Sequence, residues 1–171
     1  NYAFATLTNI NNFSKERVTP PCPYFYECGG CNLQHMKYSH QLYFKSLLVK
    51  KTLKKIADID LDVLPTQPSR QFKYRNKSSF NVDNKNLGFY IKGSNDIVSI
   101  EYCMLMNDDI NKVFSIFKDY LHSLDEDKSC LIKHLVVRAI AHQILVGLII
   151  KSDFDCSAFY TLLENNFSKI G

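Results

Sequence analysis

Ile110, Val113, Phe114, Phe117, Leu121 and Leu124 recur at spacings of three and four, which predicts an amphipathic helix with its apolar stripe in the core. Asp125-Glu126-Asp127-Lys128 is expected to end it. Three strands are expected before this helix, at Phe72–Val82, Leu87–Ile91 and Ile97–Ile100, with turn-rich connectors at Asp83-Asn84-Lys85-Asn86 and Lys92–Asp96. Two more follow it, His134–Ile140 and Gln143–Lys151, joined tightly near Ala141. An earlier helix is expected from Ser39, with Ser39 as its N-cap. Its apolar side (Leu42, Leu48, Val49, Leu53, Ile56) is ragged, its other side carries Lys45, Lys50, Lys51, Lys54 and Lys55, and Pro65 and Pro68 break the pattern. A last helix is expected from about Asp153 or Asp155, carrying Phe159, Leu162 and Leu163. Tyr2–Leu7 alternates weakly and reads as a strand, and 9–21 reads as a polar linker. Strands, helices and hairpins mixed with short connections predict an α+β fold, helices packed on a largely antiparallel sheet.

Composition narrows the class. The 171 residues suit one compact domain or two small ones, and 46% hydrophobic residues argue against wholesale disorder. A net charge of +4 is too mild to indicate nucleic acid unless the cations cluster. The most apolar stretch, Leu131 to Ile150, is interrupted by Lys133, His134, Arg138 and His142 and does not read as a membrane span. The first residues show no secretory pattern, so a cytoplasmic location is expected. The chain starts at Asn1 and stops at Gly171 without a terminal signal, and is expected to be a piece of a longer protein.

The cysteines add chemistry. Cys22, Cys28 and Cys31 lie in the run Cys22-Pro-Tyr-Phe-Tyr-Glu-Cys28-Gly-Gly-Cys31, and Cys103 follows far downstream. Uneven clustering and a sizeable core argue against a disulfide framework. A [4Fe–4S] cube takes four thiolates, and one loop plus a distant cysteine can surround it. Gly29 and Gly30 are free to adopt backbone angles that a Cβ forbids, turning their N–H groups toward sulfur. Structural zinc more often uses two short clips, and His35 or His40 is an alternative zinc ligand. Spacing favours iron–sulfur over zinc and leaves both open, along with no metal. Cys130 and Cys156 have no partner motif and read as ordinary buried or half-buried cysteines.

The residues around these cysteines closely resemble a known loop. Pro21-Cys22-Pro23-Tyr24-Phe25 and Cys28-Gly29-Gly30-Cys31-Asn32-Leu33-Gln34-His35 are similar to the cluster loop of the bacterial uracil-C5 RNA methyltransferases, which modify 23S ribosomal RNA with S-adenosylmethionine. The resemblance runs on through Gln41 and Lys45, Tyr74-Arg75-Asn76-Lys77, Leu87-Gly88-Phe89-Tyr90, Ile97 to Cys103 and His134-Leu135-Val136-Val137-Arg138, nearly the whole chain. It implies a [4Fe–4S] cluster on Cys22, Cys28, Cys31 and Cys103, an RNA partner and a monomeric parent. It also implies a small N-terminal β-barrel, of which 1–8 is the last strand, and a central iron–sulfur and RNA-binding domain over 22–171. The family's Rossmann-like domain, which binds S-adenosylmethionine and holds the nucleophilic cysteine and carboxylate base, has no counterpart in this sequence. The six glycines form no Gly-x-Gly-x-x-Gly. The implied function is therefore a non-catalytic piece of an RNA methyltransferase. A stand-alone zinc or iron–sulfur RNA-binding module, a transfer-RNA methyltransferase piece and, more weakly, an electron carrier are the alternatives.

Lys73, Arg75 and Lys77 alternate and are expected to share one strand face. Like charges there repel unless an anion sits among them, and the resemblance makes that anion RNA; a solvated edge is the plain alternative. Phe89 and Tyr90 are candidates to stack on a splayed base. As neighbours on a strand they face opposite ways, so one of the two belongs to the core.

Overall fold

A computed structural model of the chain describes residues 3, 5, 7–141 and 143–167. Of the strand expected at Tyr2–Leu7, residues 2, 4 and 6 lie outside them. The chain divides into two units, Asn1–Pro21 with Leu33–Pro68, and Cys22–Asn32 with Ser69–Gly171.

The first unit is built on helix α1 (Tyr38–Ala57). Ser39 is not its cap. Lys37 holds that position without a side-chain bond, and the Gln41 amide donates instead to the Met36 carbonyl at 2.8 Å. The helix ends at Asp58, whose φ of 53° is left-handed, so it stops well before the prolines. The segment after it runs back along the helix. Lys54 pairs with Asp58 at 2.7 Å, Lys50 with Asp62 at 2.9 Å, and the Ser46 hydroxyl accepts the Thr66 N–H at 2.9 Å. Part of the basic face is thus neutralised within the unit. Asp62 holds Lys50 charged, raising its pKa through a hydrogen bond and its own charge.

The second unit is a five-stranded sheet in the order β3-β2-β1-β4-β5, with every strand pairing antiparallel. Its strands are β1 (Lys77–Asp83), β2 (Asn86–Tyr90), β3 (Ile97–Ser99), β4 (Ile132–Ile140) and β5 (Gln143–Ile150). Helices α2 (Asp108–Ser123), α3 (Glu126–Ser129) and α4 (Ser157–Asn166) complete it. The predicted α+β architecture is the observed one. The acidic run expected to end α2 instead forms the short helix α3, after Leu124 breaks the regular backbone. Asn107 caps α2 by accepting the Ile110 N–H at 2.9 Å.

Alternation along β1 and β4 sends Phe80, Val82, Leu135 and Val137 to one face. There Ile110, Val113, Phe114, Phe117 and Leu121 of α2 and Phe159 and Leu163 of α4 meet them. Phe80 packs on Phe114 at 4.7 Å and Phe117 on Phe159 at 5.0 Å between ring centres. Each such buried side chain contributes about 1.5–3 kcal/mol. Gly88 permits the close approach of β3, because a Cβ there would stand 1.9 Å from the Val98 carbonyl oxygen.

The first strand is shorter than expected. Lys73 has a left-handed φ of 55°, which interrupts extended backbone. The N–H groups of Lys73 and Arg75 bond to the Met104 and Leu105 carbonyls, and the sheet proper begins at Lys77.

Candidate metal and RNA site

Although Cys22–Asn32 is flanked on both sides by the first unit, it belongs to the second, together with Cys103. Backbone bonds tie it there. Gly29 donates to the Tyr90 carbonyl at 2.9 Å, Lys92 donates to the Glu27 carbonyl at 3.0 Å, and Cys28 bridges to Ile91 beyond the end of β2. A Cβ on Gly29 would press on the Tyr90 oxygen at 3.1 Å. Close approach, rather than a positive φ, is therefore what asks for glycine, since neither Gly29 nor Gly30 is left-handed. The Tyr24 hydroxyl accepts the Glu101 N–H at 3.0 Å, joining the loop to the segment that carries Cys103.

That segment is held in turn by α2. The Asn111 side chain accepts the Cys103 N–H at 2.9 Å and donates to the Cys103 carbonyl at 3.1 Å. Asn111 was invisible to the hydrophobic pattern. Its trace in the sequence is a polar residue in the first turn of a helix that directly follows a cysteine.

Cys22, Cys28, Cys31 and Cys103 are close enough to influence one another's charge. Burial raises the Cys22, Cys28 and Cys103 thiols above the ordinary value, and nearby cysteines raise them further. Backbone N–H donors oppose this, from Tyr24 to Cys22, Gly30 to Cys28, and Leu105 and Met106 to Cys103. The Gly30 N–H lies 3.4 Å from the Cys28 sulfur. The Arg75 charge also favours the Cys28 thiolate. Among the described residues no three His, Cys, Asp or Glu side chains converge tightly enough to hold a metal ion. His35 sits in the first unit, where its carbonyl accepts the Val18 N–H at 3.0 Å. Cys130 is exposed rather than buried, and Cys156 is half-buried.

The three cations expected on one strand face have separate settings. Lys73 precedes the strand and pairs with Asp108 at 2.7 Å, Arg75 acts on Cys28, and Lys77 opens β1 directly opposite Arg138 of β4. The left-handed residue at Lys73 is what breaks the alternation. Phe89 turns inward onto Phe80 at 5.1 Å, while Tyr90 is 45% exposed on the other face.

No protein-family model matches the chain. It is 32% identical over 164 residues to a Clostridium tetani protein named as an uncharacterized RNA methyltransferase, covering 88% of this chain and 36% of that protein. A Staphylococcus aureus protein, likewise named as an uncharacterized RNA methyltransferase, is 37% identical over 158 residues, covering 83% of this chain and 34% of its own length. Among solved structures, Pyrococcus abyssi tRNA (uracil-54, C5)-methyltransferase in complex with S-adenosyl-L-homocysteine aligns with a TM-score of 0.62 at 21% identity. That alignment covers 88% of this chain and 36% of that one, and it establishes a shared fold. The described residues contain no helix long and apolar enough to cross a membrane. The chain thus spans about a third of the length of relatives named as RNA methyltransferases and shares the fold of a corresponding part of a tRNA uracil-C5 methyltransferase.

Proposed function

We propose that this chain is the iron–sulfur and RNA-binding part of an S-adenosylmethionine-dependent RNA (uracil-C5)-methyltransferase acting on 23S ribosomal RNA. In this reading residues 22–171 are its central domain, and methyl transfer belongs to a further domain of the whole protein. One observation supports the cluster most: four cysteines from two distant segments share one unit, with backbone N–H groups directed at three of their sulfurs. Such donors stabilise thiolates, the ligand form of cysteine. A cube takes one thiolate at each of four corners, so its ligands surround a volume. Zinc instead draws its sulfurs to about 2.3 Å from one centre.

Cys22, Cys28, Cys31 and Cys103 would hold the cluster. When bound, it supplies cross-linking of the loop to the Cys103 segment rather than electrons, because uracil-C5 methylation by nucleophilic addition consumes none. Arg75 and Lys77 are the RNA contacts of this reading, and Lys73, ion-paired with Asp108, is a third candidate apart from them. Phe89 serves indirectly through the strand it shares with Tyr90. Transfer RNA is the second substrate reading, favoured by the structural neighbour, a tRNA (uracil-54, C5)-methyltransferase.

Anaerobically purified protein is expected to be brown, with about four iron and four sulfide per chain. Colourless protein loaded with zinc would overturn the cluster. Deleting the gene and quantifying 5-methyluridine by mass spectrometry decides the substrate. Loss from 23S ribosomal RNA supports the first reading, loss from transfer RNA alone replaces it with the second, and loss from neither removes the methyltransferase assignment.

A further inference from the structure

The sheet of the second unit has an uncovered face. Helices α2 and α4 pack on the side of Phe80, Leu135 and Val137. Register fixes what stands on the other side. Lys77 of β1 lies opposite Arg138 of β4, which lies opposite Leu145 of β5. The next row is Ser79, Val136 and Gly147, and the row beyond it is Asn81, His134 and Ile149. Continuing the β1–β2 register sets Tyr90 beside Ser79.

We propose that this face is a platform for single-stranded RNA, with the Lys77–Arg138 pair taking backbone phosphate and Tyr90 stacking on a base. The proposal rests on the RNA reading given above and assigns it a surface. Lys77 and Arg138 are both exposed, and neither joins an ion pair among the described residues. Directly opposed like charges destabilise a sheet, and this pair is relieved by an anion that bridges it. Phosphate suits both, since arginine grips it through paired N–H groups and lysine as a point charge.

The middle row is low. A Cβ on Gly147 would meet nothing within 4 Å, and Ser79 is small. Rows two residues apart along a strand stand about 7 Å apart, so Gly147, Val136 and Ser79 floor a shallow trough across the strands toward Tyr90. The Tyr90 ring is 45% exposed and in no ring pair among the described residues. An aromatic platform beside cations is how open antiparallel sheets hold unpaired nucleotides. The exposed Leu145 and Ile149 flank the trough as apolar walls. Charge decides the occupant. An apolar protein surface covering these walls would leave the cation pair unmatched.

The test is binding of a fluorescein-labelled oligouridylate of about twelve nucleotides to the full chain, read by anisotropy across a salt series. K77Q/R138Q is expected to weaken binding about tenfold near physiological salt and to flatten the log–log salt slope by about 1.4, two contacts at about 0.7 each. Gly147→Val fills the trough in open space and favours a strand, so it is expected to weaken binding without lowering the thermal midpoint. Equal binding and slope in both variants would overturn the platform and remove Lys77 from the RNA contacts given above, while leaving RNA binding by the chain intact. A wild-type chain that does not bind the oligomer at low salt removes both. If instead the variants turn a sedimenting dimer into a monomer with RNA affinity unchanged, the face belongs to a second copy and the proposal falls.

Discussion

The Asn111 carboxamide spans the backbone of Cys103, accepting its N–H at 2.9 Å and donating to its carbonyl at 3.1 Å. Cys103 is thereby aimed from the first turn of α2, whose apolar stripe is anchored in the core. The opposite wall of the site is aimed from the sheet, because Cys28 bridges to Ile91 just beyond β2. Cys28 and Cys103 are thus held by backbone contacts belonging to the fold itself.

Asn111→Ala leaves both groups of Cys103 without this partner. Urea unfolding is expected to show a loss of about 1–3 kcal/mol, with less iron retained per chain. Asn111→Asp keeps the acceptor and loses the donor, so it is expected to fall between the two in stability.

Replacing any one of Cys22, Cys28, Cys31 or Cys103 by serine is expected to lower iron content and absorbance near about 400 nm, since each corner of a cube asks for its own thiolate. Cys130→Ser, on an exposed residue of the same unit, is the control and is expected to keep both. Equal losses at Cys130 would refute the ligand set.

Gly88→Ala forces a methyl group to within 1.9 Å of the Val98 oxygen, and backbone on both sides has to move. Overpacking of this kind costs about 1–3 kcal/mol. The β2–β3 pairing should separate first, so hydrogen exchange at the Phe89 and Val98 amides is expected to accelerate more than at β4.

The metal-free fold is expected to weaken in alkali. Burial, with help from neighbouring thiolates, raises Cys22, Cys28 and Cys103 above the ordinary 9.0. In that window the unfolded chain holds fewer protons than the folded one. Stability is therefore complete below about pH 9 and falls as pH climbs through the raised values. Urea midpoints of reduced, chelated protein at roughly pH 8 and pH 10 measure this, and serine at all three positions is expected to flatten the difference.

Local periodicity carried most of the elements. The stripe from Ile110 to Leu121 became α2, and the alternating runs became strands β2 to β5 within a residue or two. The cysteine spacing was legible as a motif, and the fold gathers Cys22, Cys28, Cys31 and Cys103 into one unit. Three features were not legible. Lys73, Arg75 and Lys77 alternate as letters, yet one left-handed residue separates them into an ion pair, a neighbour of Cys28 and a member of the open sheet face. Whether Phe89 or Tyr90 points outward depends on which face α2 covers, a choice that strand alternation leaves open.

The third feature is the pairing of Asn111 with Cys103 and of Lys77 with Arg138. Hydrophobic order is a property of neighbours in sequence, so it survives in a one-dimensional reading. Contacts between segments tens of residues apart depend on register and on close approaches such as that at Gly88, and these exist only once the strands have met.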